Sequence, residues 1–323
     1  MTIPYRRPTF ALAPRGSADS PGWLRRHPLL AYTLVAYGIT WTPLIGGFFG
    51  ARAGVLETDG NLVEVMIQVA AAGPLIAAVI LVAVTRGRSG LAGLARSLVR
   101  WRVNPLWYAF IFLGVPLLML ATVTAFYAGA MVPALTENWP LLYSFFPLQL
   151  LGVALLTGLA EEPGWRGYAQ PIANRRYSPM VAALVVSVIW AGWHLPNVLF
   201  GQTVPETLTH LLATVVNGFV LAWAYNSTRS VLIVMLLHGA QNATAELVMR
   251  LLEGSTGGPT IPVYYLISAL TWGVLMTVVA VLTRGRLGVA PSHDDHAENP
   301  AAIPAQSATA HRTTPPSRTG EPR

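Results

Sequence analysis

Residues 155–171, LLTGLAEEPGWRGYAQP, set two adjacent carboxylates, Glu161 and Glu162, at the end of a long apolar run. Arg166 follows four residues after the second. On the surface of a water-soluble domain this would be an ordinary polar turn. The rest of the chain argues against that solvent. Of 323 residues, 53% are hydrophobic and only 11% charged, with a mean hydropathy of +0.50. Soluble domains carry about 25% charged residues, so the composition points to a membrane.

The residue types exclude several chemistries. There is no cysteine, hence no disulfide, thiol nucleophile or zinc–thiolate site. All 21 basic residues are arginine, which removes a Ser–Lys dyad and a Schiff-base lysine. No G-x-S-x-G, S-x-x-K or H-E-x-x-H motif occurs.

Residues 1–27 are rich in Pro, Arg and Ser and lack the apolar core of a signal peptide; they read as a disordered cytosolic lead. Residues 290–323 read as a second disordered tail, in which His293 and His296 are solvated rather than ligands. Between them, residues 28–289 hold eight segments close to the ~20 apolar residues that cross a bilayer as helix. They fall near 29–49, 63–84, 106–128, 141–162, 179–200, 207–225, 230–250 and 262–283. The expected fold is therefore all-α and polytopic, an integral protein of a bacterial plasma membrane.

Arginine placement supports that topology. With the N-terminus inside, only Arg52 and Arg250 fall on the outer face, and Arg166 counts among the cytoplasmic residues. The positive-inside rule then predicts that both termini are cytoplasmic. The net charge of +7 concerns anionic lipid and topology, not nucleic acid. In 85–105, Leu91, Leu94 and Leu98 recur at helical spacing, which predicts a basic amphipathic helix on the inner leaflet.

Three spans carry ionisable groups at depth: Glu161 and Glu162, then His194 in WAGWH, then His238 with Asn242 in HGAQN. A charge at the bilayer centre costs about 2.5–3.5 kcal/mol on insertion scales, so such groups face a cavity and pair with one another. Glu162 and Arg166 stand at i and i+4, as do His238 and Asn242. Adjacent residues differ by ~100° around a helix, so the two carboxylates point apart. Glu161 is expected to face the cavity and Glu162 to pair with Arg166. Pro163, Gly164 and Pro171 are expected to break the helix. His210, Asn217, Trp190, Trp193 and Trp223 read as packing residues, and Glu64 and Glu246 as solvated.

Two routes to an activated water fit this set. In one, Glu161 and His194 act as base and acid while His238 and Asn242 donate to the developing oxyanion. In the other, Glu161, His194 and His238 hold a zinc-like ion that acidifies the water. Both end in hydrolysis of a carbonyl compound, above all a peptide bond in a membrane-associated peptide or protein. A proton-coupled transporter and a non-catalytic immunity or scaffold protein are the alternatives.

The motifs resemble those of the CPBP intramembrane proteases, also called the CAAX prenyl endopeptidase, Rce1-like or Abi family. EEPGWR is similar to EExxxR, WAGWH to FxxxH and HGAQN to HxxxN, in the same order, with GWRGY and LVRWRVNPLWY adding to the likeness. The motif core spans about 140–250. The resemblance implies an eight-helix domain whose cavity opens to cytosol and bilayer. It implies that Glu161, His194, His238 and Asn242 are catalytic or metal-binding, with Glu162 and Arg166 supporting them. It also implies cleavage of CAAX-type proteins, prenylated in eukaryotes, while bacterial relatives are linked to bacteriocin immunity. Trp190 departs from the usual Phe.

Overall fold

The computed structural model describes residues 22–55, 66, 69–253 and 257–290. The expected tail beyond residue 290, the first 21 residues of the lead, and Glu64, His293 and His296 lie outside these residues. The last part of the lead differs from expectation: Gly22–Arg26 forms a short helix.

Among the described residues, eight helices are long and apolar enough to cross a membrane. We number them α1 (Pro28–Arg52), α2 (Gly73–Leu98), α3 (Leu106–Asn138), α4 (Leu141–Arg176), α5 (Pro179–Phe200), α6 (Val204–Thr228), α7 (Val231–Leu251) and α8 (Ile261–Leu282). Among the described residues there is no strand. This is an all-α integral membrane protein. Large apolar side chains such as Leu117, Leu155, Val188 and Val274 lie exposed on the outside, the pattern of a surface solvated by hydrocarbon.

The sequence supplies the helix ends. Ser178 and Ser230 cap α5 and α7 by accepting the N–H groups of Val181 and Ile233, and Thr203 with Glu206 forms a reciprocal capping box at α6. Arg229, in the left-handed region at φ 54°, ends α6. The Ser230 hydroxyl also donates to the Arg100 carbonyl at 2.6 Å, tying the α6–α7 turn to the α2–α3 connection.

At the centre of the bundle stands α7. Its most apolar window is 72% buried, against 22–39% in the other seven. It packs against α3, α6 and the first half of α4, while α5 and α8 pack on α6, and α1 and α2 complete the far side. Close backbone approach makes this possible. A Cβ on Gly239 of α7 would lie 2.5 Å from the Leu150 carbonyl oxygen of α4. Only glycine lets the two helices meet there.

Two expectations fail in instructive ways. Helix α4 does not break at Pro163, Gly164 or Pro171 but runs on for 36 residues. It does so through two π-helical turns, Ala154–Gly158 and Trp165–Ala169. Wider turns absorb the backbone that prolines cannot serve, so the helix survives at membrane depth. The leucine face of 88–98 also departs from the inner-leaflet reading. After a kink at Gly87 (φ 60°), Leu91, Leu94 and Leu98 pack into the protein core. The protein offered those leucines a closer apolar surface than the lipid.

Candidate active site

The carboxylates sit on Leu159–Gly164, the α-helical stretch between the two π turns of α4. Both are buried, and they diverge as adjacent helical residues must. Glu162 forms a bidentate pair with the Arg166 guanidinium, whose Nη1 donates to Oε1 at 3.1 Å and Oε2 at 3.0 Å. Neither side chain is exposed at all. Arg166 therefore belongs to the interior and leaves the loop tally that spoke for cytoplasmic charge. Inside a low-dielectric core such a cation is tolerable only with a carboxylate one helical turn away.

His238 of α7 also uses Glu162: its Nδ1 lies 2.8 Å from Oε1. With Nδ1 donating to a carboxylate, Nε2 is the basic nitrogen of the neutral ring. His194, at the end of the α-helical part of α5, is oriented differently. Its Nδ1 donates to the Trp190 carbonyl at 2.9 Å, which again leaves Nε2 basic. The stretch holding it is braced from α1. Trp193 Nε1 donates to the Thr40 hydroxyl at 2.8 Å, and Trp41 Nε1 donates to the Trp193 carbonyl at 3.0 Å.

Glu161 has its own partner. The Trp190 indole N–H donates to Oε2 at 2.6 Å. The same ring carries the Arg166 guanidinium 4.4 Å from its centroid and lies 5.5 Å from the His238 ring. Trp190 thus links two groups of bonds, Glu161–Trp190–His194 and Glu162–Arg166–His238. The sequence reads it as a packing residue alone, because an indole on an apolar helix carries no charge to betray a second role. Trp193 packs in the core as expected and adds its bond to Thr40. Trp223 does pack, against Trp107 at 4.7 Å.

These groups open onto one cavity of about 470 Å³, a size suited to a small-molecule or peptide segment. Glu161, His194, His238 and Asn242 all line it. Glu162 and Arg166 stand behind its wall. His210 and Asn217, read as packing residues, line it too, and the His210 ring lies 4.9 Å from that of His194 and stacks on Tyr265. The signal for them was present: His210, Ala213, Thr214 and Asn217 follow i, i+3, i+4, i+7 on α6, and all four line the cavity. Glu246, expected to be merely solvated, lines it as well and accepts a hydrogen bond from Gln149.

Among the described residues no group of three His, Asp or Glu side chains stands close enough together to hold a metal ion. Glu161, His194 and His238 share the cavity.

This is a polar, carboxylate- and histidine-lined cavity inside a helical membrane bundle. Residues 143–244, which contain EEPGWR, WAGWH and HGAQN, match the family described as Type II CAAX prenyl endopeptidase Rce1-like. Over 109 residues the chain is 28% identical to the CAAX prenyl protease 2 of Methanococcus maripaludis, covering 31% of this chain and 40% of that protein. The motif-bearing segment is similar to the Rce1-like family. The chain thus spans about two fifths of the length of this curated relative.

Proposed function

We propose that the protein is an intramembrane endopeptidase that hydrolyses a peptide bond of a membrane-associated substrate, with CAAX-type proteins as the substrate class. The observation that carries this reading is Glu161, a buried carboxylate held at one oxygen by Trp190 and facing a cavity shared with His194 and His238. Its second oxygen takes a proton from a water molecule. The hydroxide adds to the scissile carbonyl carbon, and the carbonyl π electrons move onto oxygen. Asn242 and a protonated His238 donate hydrogen bonds to that oxyanion, worth about 10²–10³ in rate for one well-aimed donor. Collapse of the intermediate breaks the C–N bond, and the proton on Glu161 passes to the departing amine. Glu162 holds the His238 ring by Nδ1, and Arg166 balances its charge.

Both termini are cytoplasmic in this reading, which puts the α4–α5 turn on the side where a protein's C-terminus is presented. The test is cleavage of a farnesylated CAAX peptide by purified protein in liposomes. Release of the last three residues is expected, with a loss of about 10²–10⁴ for Glu161→Gln. Undiminished cleavage by that variant would overturn the role of Glu161. Proton flux without proteolysis would replace the reading by a transporter. Dialysis against a chelator is expected to leave cleavage intact; a loss restored by zinc would recast Glu161 and the histidines as ligands.

A further inference from the structure

Two side-chain amides line the cavity beside the candidate catalytic groups, and the hydrolytic steps above give them no task. They are Asn217 of α6, half-buried, and Gln241 of α7, only 6% exposed. Gln241 Nε2 donates to Asn217 Oδ1 at 3.5 Å, a long bond. Each amide carries one NH2 and one carbonyl oxygen, so this bond leaves the NH2 of Asn217 and the oxygen of Gln241. Among the described residues neither group has a partner, and neither is sealed from the cavity. Turning both amides over exchanges their roles and still presents one donor and one acceptor.

In low-dielectric surroundings an unmet polar group is costly, and a peptide backbone drawn in from water faces the same cost. A peptide brings an N–H and a C=O, the complement of what the amide pair offers. The position fits as well. Gln241 follows His238 by three residues and stands about 4.5 Å further along α7. An extended peptide advances about 3.3 Å per residue, so the pair lies one to two residues from a bond held at His238.

We propose that Asn217 and Gln241 bind the substrate backbone next to the scissile bond. Gln241 Oε1 accepts a backbone N–H, and Asn217 Nδ2 donates to a backbone carbonyl. The proposal rests on the peptidase reading for its ligand, a peptide, but on no step of the chemistry. The pair accepts any side chain at that position except proline, which lacks the N–H.

The test uses the farnesylated CAAX peptide with each N–H near the scissile bond replaced in turn by an ester oxygen. Binding is read in full-length Glu161→Gln, as the rise of its unfolding midpoint with peptide concentration, so no turnover is needed. One ester is expected to weaken binding by about five- to tenfold, the scale of one hydrogen bond. In Glu161→Gln/Gln241→Met the all-amide peptide is expected to bind that much more weakly, and the same ester to cost nothing further. If that variant is not monodisperse, Gln241→Ala in place of Gln241→Met is read in the same way. Gln241→Glu, which keeps an acceptor oxygen, is expected to keep the ester penalty. A penalty of equal size with and without the Gln241 amide would overturn the proposal and make the pair a clasp between α6 and α7. No penalty at any position, or no binding of the peptide, would overturn it too. Binding with the expected coupling but no cleavage by the parent would support the amide pair while removing the peptidase reading.

Discussion

At the level of single residues, adjacent glutamates hold different partners, and their substitutions should separate. Glu161→Gln removes the proton acceptor but leaves the Glu162 pair intact, so cleavage should vanish while the unfolding midpoint stays near the parent. Arg166→Met should do the reverse first. It takes the guanidinium from a buried carboxylate and leaves Glu162 with His238 alone, at a cost of up to about 3–5 kcal/mol, and differential scanning calorimetry should record a lower midpoint before any assay is run. Trp190→Phe is the finer probe. Phe keeps an aromatic ring there but has no N–H to give Glu161. We expect turnover to fall by roughly tenfold or less, the scale of one hydrogen bond to a charged group. A loss as deep as that of Glu161→Gln would show the indole to be indispensable. The charges of this site were legible from spacing alone, because ionisable residues at membrane depth stand out. Trp190, His210 and Asn217 were not, because an uncharged or lone polar side chain on an apolar helix looks the same whether it packs or serves a cavity.

At the level of elements, the site depends on how closely α4 meets α7. Glu162 reaches His238 because Gly239, the next residue, lets the helices touch at Leu150. Gly239→Ala should force them apart and cost about 1–3 kcal/mol as overpacking. Gly38→Ala, where a methyl meets nothing within 4 Å, is the matched control and should be neutral. Equal midpoints for the two variants would remove the argument. The boundaries of α4 were the least legible part of the sequence. Pro163 and Pro171 read as breakers under a rule written for i→i+4 turns, and the chain escapes that rule by widening its turns to i→i+5. Arg166 misled for a related reason: loop arginines and buried, paired arginines are identical in a count of charges.

At the level of the whole molecule, eight spans and a chain without cysteine give a direct test of orientation. Single cysteines placed by Gly22→Cys, Val55→Cys and Ala290→Cys fall at exposed positions. With a membrane-impermeant maleimide, the first and third should label from the cytoplasmic side and the second only from the opposite side. Labelling of 22 and 290 from different sides would mean an odd number of crossings. The number and order of spans were readable because hydrocarbon solvent imposes long apolar runs. The position of the centre was not, since all eight runs are comparably apolar, and α7 owes its place to tertiary packing.

The widened turns of α4 carry one more consequence. In a regular helix, length and angular phase are locked together at ~100° per residue. A π turn breaks that lock, letting the chain advance by one residue while the side chains beyond it keep a chosen heading. Removing Leu155 alone should let Ala154–Gly158 relax into an ordinary turn with Glu161 still on its present bearing. The same one-residue deletion in a stretch of regular helix would swing the carboxylate by ~100°. The π turn thus works as a compass setting, a spare residue that the helix can hold or lose without turning the catalytic carboxylate away.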